Sequence, residues 1–111
     1  MPQIIVEYTD TLEKQLSIKQ LVLDLHETLA SQPSIDKTRI KSRAIPVLAT
    51  CVGESKQSDL LIHITLKLFP RETSLKKSMA TALKNAAMLH SVVDCSVTVE
   101  VQVLDPDTYT V

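Results

Sequence analysis

Proline stands second in the chain, directly after Met1. An initiator methionine before so small a residue is usually removed, and Pro2 would then carry a free secondary amine. The reference pKa of an α-amino group is about 7.7 to 8.0, close to working pH. Desolvation and nearby cations would lower it and leave an uncharged general base at neutral pH. Many chains begin Met-Pro without catalytic purpose, so Pro2 needs company to mean anything. Company is available in the alternation Lys37, Arg39, Lys41, Arg43. In a strand, residues two apart share a face, so Arg39, Lys41 and Arg43 would project together. Three cations on one face suit a substrate with several carboxylates, and arginine can grip a carboxylate through two N–H groups. The plainer reading is an edge strand charged against sheet-to-sheet association. Arg71 follows Pro70 at a strand-to-helix turn. A cation gains nothing from the dipole at a helix start, so either anion binding beside free N–H groups or pairing with Glu72 explains it.

Other chemistry-bearing residues point to less. His26, His63 and His90 form no pair with metal-ligand spacing, and they read as packing or surface residues. Neither Cys51 nor Cys95 sits in a nucleophile motif, and no metal site is expected. Ser42 lies between two cations but has no identifiable base, so it reads as a strand residue.

These side chains have to be held by regular elements, and the apolar pattern supplies them. Gln3 to Tyr8 is β-branched and aromatic enough for a strand, broken at Thr9-Asp10-Thr11. Ser17 and Gln20 have the capping-box spacing, and Ile18, Leu21, Val22, Leu25 and Leu29 then recur at helical spacing, with Pro33 beyond the end. Arg39 to Thr50 reads as extended, with Pro46 marking an edge, and Cys51 to Ser58 as a loop around Gly53. Asp59 to Phe69 alternates, with Leu60, Ile62, Ile64, Leu66 and Leu68 on one face, and ends at Pro70. Thr73-Ser74 is expected to cap a second helix carrying Leu75, Met79, Ala82, Leu83, Ala86 and Leu89. Cys95 to Leu104 is a last strand, with Val97, Val99, Val101 and Val103 on one face.

The order strand–helix–strand thus occurs twice. The halves align at an offset of 57 residues, which sets Ser17 on Ser74, Ile5 on Ile62 and Ile40 on Val97. Two βαβ units predict a two-layer α/β (α+β) domain: a four-stranded sheet with both helices on one face. Repeat 1 would span about 2–50, repeat 2 about 59–104, and a tail 105–111, all in one domain. The other sheet face is expected to be bare and apolar, which would call for a neighbouring copy to cover it; the alternative is an ordinary two-layer monomer whose second sheet face is polar.

Composition narrows the classes of function. The chain has 111 residues, is 44% hydrophobic and 23% charged, and carries 12 Lys plus Arg against 13 Asp plus Glu. Its net charge of −1 gives no support to nucleic-acid or polybasic membrane binding. One glycine, Gly53, removes the Gly-rich loops that cradle nucleotide phosphates. Three aromatics (Tyr8, Phe69, Tyr109) make a poor base-stacking platform. No apolar run reaches membrane-spanning length, no signal peptide is expected, and two unpaired cysteines fit a reducing, cytoplasmic location.

Three motifs in order carry a family resemblance: Met1-Pro2 with Ile5-Val6-Glu7, Ile40-Lys41-Ser42-Arg43 after the first helix, and His63-Ile64-Thr65-Leu66-Lys67 leading to Arg71. They cover nearly the whole chain and resemble the tautomerase superfamily, and within it the 5-carboxymethyl-2-hydroxymuconate Δ-isomerase family. The resemblance implies two fused βαβ units, a homotrimer and a reaction without cofactors on a small carboxylated enol. Pro2 would take a proton from a 2-hydroxymuconate-type dienoate and return it at another carbon. Arg71 matches the family arginine before the second helix, and Arg43 the second arginine of the basic strand. Lys41 stands where the family usually has arginine, which keeps the charge but loses the fork. Ala44-Ile45-Pro46-Val47 replaces aromatic residues that family members can carry there. The alternatives are tautomerisation of another 2-hydroxy-dienoate or phenylpyruvate-like enol, and a non-catalytic trimer that binds an anion or a partner.

Overall fold

The computed structural model describes residues 1–54, 58–90 and 92–111; part of the expected 51–58 loop lies outside them. Strand β1 spans Gln3–Thr9, helix α1 Ile18–Ala30, β2 Lys41–Val47, β3 Leu61–Leu68, α2 Thr73–Met88 and β4 Ser96–Val103. Short 3₁₀ turns occupy Asp10–Lys14 and Lys37–Arg39. The sheet order is β2-β1-β3-β4, parallel within each strand–helix–strand half and antiparallel between β1 and β3. This is the four-stranded, two-helix architecture expected from the repeated pattern.

The core lies between sheet and helices. From the sheet, Ile4, Val6, Ile62, Ile64, Leu66 and Leu68 are fully buried, and Leu21, Leu25, Leu29, Met79, Leu83 and Ala87 meet them from the helices. A fully buried aliphatic side chain of this size is worth about 1.5–3 kcal/mol, so this layer holds the sheet that carries the site. Ser17 caps α1 as expected, its side chain accepting from the Gln20 N–H. The Gln20 side chain reaches forward to Asp24 instead of completing the box.

Four expectations need correction. The N-cap of α2 is Glu72, without a side-chain cap bond, rather than the Thr73-Ser74 pair. The offset of 57 fails in the first strand: Ile5 points to the helix-free face and Ile62 to the core. Because side chains alternate along a strand, an odd slip exchanges the faces. Shifting the alignment by one residue carries Ile4, Val6 and Tyr8 onto Ile62, Ile64 and Leu66, and Leu21, Leu25 and Leu29 onto Met79, Leu83 and Ala87. Val6 then pairs with its own counterpart Ile64, so an approximate twofold axis relates the halves.

The third correction concerns the helix-free face, which is not a bare apolar surface. Register sets Lys41, Gln3, Lys67 and Gln102 in one row across it, Arg43, Ile5, Thr65 and Glu100 in the next, and Ile45, Glu7, His63 and Thr98 in a third. Most apolar members of β1, β3 and β4 turn to the helices, and apart from Ile5 and Leu61 these strands leave polar members on the helix-free face. The fourth is Arg39. Asp36 caps the 3₁₀ turn Lys37–Arg39 by accepting from the Thr38 N–H, and this turn takes Arg39 out of the strand. Arg39 therefore does not share the strand face of Lys41 and Arg43.

Candidate active site

Pro2 is buried, and it is positioned by the sheet on its own strand's edge toward β2: its carbonyl accepts from the Lys41 N–H at 3.1 Å. The twofold counterpart of this bond runs from the Ser96 N–H to the Leu60 carbonyl at 2.9 Å. Leu60 is thus the second-half equivalent of Pro2, and Ser96 and Thr98 stand for Lys41 and Arg43. An internal leucine has only an amide nitrogen, and neither register counterpart in the second half is a cation, so the symmetry of the fold is broken chemically at this one end.

Two cation groups converge on the start of β1. Arg71 and Arg39 lie beside the chain terminus. Burial, and then the charges of Arg71 and Arg39, hold the Met1 amine below its ordinary value, against a smaller opposing pull from Asp36. Arg39 donates to Met1 Sδ at 3.4 Å and pairs with Asp36 at 3.4 Å. Arg71 is anchored: its Nε donates to Ser34 Oγ, Nη2 to the Ser34 carbonyl, and Nη1 to the carbonyls of Phe69 and Pro70, all within 3.1–3.2 Å. Ser34 presents both oxygens to it from a left-handed conformation, φ 65°. A guanidinium has five N–H donors, so among the described residues one Nη2 N–H and the full charge remain for a ligand. The expected pairing with Glu72 is not what holds Arg71.

The second group lies on the helix-free face. Lys41 and Arg43 share it, as expected for strand neighbours two apart, and Lys67 joins them from β3 in the row of Gln3. Arg43 Nη1 donates to Gln3 Oε1 at 2.7 Å, and Gln3 Nε2 donates to Tyr109 Oη at 2.5 Å. Tyr109 also meets Phe69 edge to face, ring centroids 5.5 Å apart. The tail therefore returns to the start of β1. Sequence reasoning missed Gln3, Ser34, Lys67 and Tyr109. Lys67 was within reach of it, because the alternation of β3 already put that residue opposite the core set.

The histidines are placed as packing and surface groups. His26 Nδ1 meets Ser42 Oγ at 2.7 Å between α1 and β2, and His90 pairs with Asp24 at 2.6 Å. His63 bridges Thr98 and Glu100 on the helix-free face, and its bond holds the Glu100 carboxyl below the usual carboxylate range. Cys51 and Cys95 are free thiols. Among the described residues, no three His, Cys, Asp or Glu side chains form a group that could hold a metal ion, and no helix is long and apolar enough to cross a membrane.

The chain start, its amine held below the ordinary value with Arg71 and Arg39 beside it, thus lies at one end of a two-repeat sheet. Residues 2–107 match the family of 5-carboxymethyl-2-hydroxymuconate isomerases. The chain belongs to that family and is an isomerase of tautomerase type. Its fold is similar to that of a 5-carboxymethyl-2-hydroxymuconate isomerase from Deinococcus radiodurans R1 (21% identity, TM-score 0.84, covering 98% of this chain and 87% of that one). It is also similar to a 5-carboxymethyl-2-hydroxymuconate delta-isomerase (13%, 0.79, 100% and 87%). A macrophage migration inhibitory factor-like protein from Entamoeba histolytica shares the fold at 5% identity (TM-score 0.74, 99% and 94%). No curated protein matches the chain. Identities this low speak to the fold, and the match over residues 2–107 to the family.

Proposed function

We propose that this isomerase works without a cofactor, on a carboxylated 2-hydroxymuconate-type enol, with Pro2 as general base once Met1 is removed. The observation that carries the reading is the setting of the terminal amine, which burial, Arg71 and Arg39 all press toward its neutral form. With Met1 gone, the Pro2 amine occupies the same neighbourhood, one residue along, and the Lys41 N–H holds the Pro2 carbonyl in place. The neutral amine accepts the substrate's hydroxyl or carbon-bound proton, and the resulting ammonium returns it at the far end of the conjugated system. Arg71 and Arg39 face the developing oxyanion, while Lys41 and Arg43 take a distal carboxylate as positive charges on the open face.

The assembly belongs to the same reading: residues 1–111 as one domain, in a cytoplasmic homotrimer. Support comes from the open sheet edges, where Ile45 on β2 and Val103 on β4 are nearly half exposed and Leu48 is 87% exposed. Light scattering at micromolar concentration is expected to return three chain masses, and a monomer mass sinks the trimer.

The deciding experiment follows the ultraviolet change of 5-carboxymethyl-2-hydroxymuconate with protein whose Met1 removal has been checked by mass. The Pro2→Ala variant is expected to lose about 10²–10⁴ in rate, the range for removal of a positioned base. Turnover at the wild-type rate in that variant overturns Pro2 as base. Turnover of a different 2-hydroxy-dienoate alone would keep the base and change the substrate.

A further inference from the structure

The functional reading above assigns Arg43 a substrate carboxylate, and the inference made here rests on that assignment. We infer that Tyr109, in the C-terminal tail, is a positioning residue for Arg43, acting through Gln3. Arginine can only donate hydrogen bonds. The Arg43 contact at 2.7 Å therefore fixes which end of the Gln3 amide is oxygen, and Nε2 must face Tyr109. The phenol oxygen is then the acceptor, and its own proton points away from the pair. Charge on Arg43 polarises the amide, and the amide polarises the phenol, in the cooperative way of hydrogen-bond chains. The chain joins residues 106 positions apart and needs the tail to be seated. Its seat is visible: the Tyr109 ring packs edge to face on Phe69, and the Tyr109 N–H bonds back to the Asp105 carbonyl at 3.2 Å.

The consequence is a directional anion site rather than a loose row of charges. Lys41 and Lys67 flank Gln3 in the same row, each a mobile point charge on a long stem. Arg43 is the one cation of that group whose plane is set, and the outward Tyr109 hydroxyl supplies a neutral donor beside it. A dicarboxylate reaching from Pro2 across this face meets an oriented guanidinium and an O–H donor. A monocarboxylate held at the Pro2 end uses neither.

The test uses Tyr109→Phe, which keeps the ring on Phe69 and removes only the hydroxyl, and Gln3→Met, which keeps the shape of the middle residue without its bonds. Nitrogen-15 spectra of the Arg43 guanidinium report its immobilisation directly. Slow rotation is expected in the wild type and averaged signals in either variant. Muconate and sorbate serve as inert probes, a dienedioate and a dienoate that carry no 2-hydroxyl and cannot tautomerise. The variants are expected to weaken muconate binding about tenfold, the size of one hydrogen bond to a charged group, with sorbate changed less than twofold. The double variant should be no worse than Gln3→Met alone, because both changes break one chain. Unchanged Arg43 rotation in Tyr109→Phe, or effects that simply add, overturns the relay. None of these readouts needs turnover, so a failed Pro2 assay and a failed relay are told apart.

Discussion

Arg71 and Pro2 show how little of a residue's role is contained in its type. Arginine before the second helix could be read from the sequence, but not that four of its N–H contacts go to Ser34, Phe69 and Pro70. Ser34 has no local motif that announces it; it is found only because the chain folds residue 34 against residue 71. The same holds for Gln3 and Tyr109, whose bond spans nearly the entire chain, whereas the shared face of Lys41 and Arg43 was legible because residues two apart in a strand point the same way. A consequence follows for pH. Arg71 acts on the terminal amine as a nearby positive charge, which disfavours the protonated form. Arg71→Gln removes that charge, so the amine should bind its proton more tightly and the base should become available only at higher pH. The acid limb of kcat/KM is expected to move to higher pH in this variant, toward the ordinary α-amino value. A limb that stays in place would mean Arg71 does not face the base.

At the scale of elements, periodicity was readable, as was the Ser17 cap of α1, but the start of α2 was not. The two-residue alternation of β3 puts four side chains in the core with no ambiguity, and β4 follows it in register. Side-chain type points to Thr73-Ser74 as the cap of α2, but a cap is a matter of backbone angles, and the extended residue before the helix is Glu72. Likewise the Asp36 side chain closes a turn that removes Arg39 from β2, which no alternation of cations could reveal. The helices offer two measurable consequences. Ser17→Ala removes the side-chain cap of α1 and should cost about 1 kcal/mol in urea unfolding; no loss would mean the Gln20 N–H finds water as good a partner. Between the helices, Asp24 is held below the usual carboxylate range by the bond from Gln20 first and by His90 second. A depressed carboxylate contributes stability above its unfolded pKa, and that contribution disappears as pH falls through the folded value. Wild type should therefore exceed Asp24→Asn in urea midpoint near neutral pH, with the gap closing as the pH drops below about 4. A gap independent of pH would assign the effect to packing.

Over the whole molecule, a net charge of −1 conceals a strong separation. Register gathers Lys41, Lys67 and Arg43 at the Pro2 end of the helix-free face, with Arg39 and Arg71 beside the terminus. Glu7 and His63 lie one row further along, and Glu100, bonded to His63, shares the row of Arg43 but stands on the opposite edge strand β4. These positive charges cover one corner of the face rather than a whole surface. The approximate twofold relating the halves makes the asymmetry plainer: the counterparts of Lys41 and Arg43 are Ser96 and Thr98, so charge was placed at one end of a fold that offers two. Such a corner should draw a polycarboxylate before contact, over distances comparable to the Debye length of about 10 Å at 0.1 M salt. For a substrate with two or more carboxylates, kcat/KM is therefore expected to fall as sodium chloride is raised from about 0.01 to 0.3 M, chiefly through KM, since screening weakens capture and leaves proton transfer at Pro2 untouched. Lys67→Gln removes a cation of this corner that lies two strands from the Lys41 edge and makes no bond in the Gln3–Tyr109 chain. It should lower kcat/KM at low salt and flatten the salt dependence, so that the two proteins converge as the salt rises. A wild-type kcat/KM that ignores salt, or a Lys67→Gln line parallel to it, would show that the corner holds substrate by contact alone.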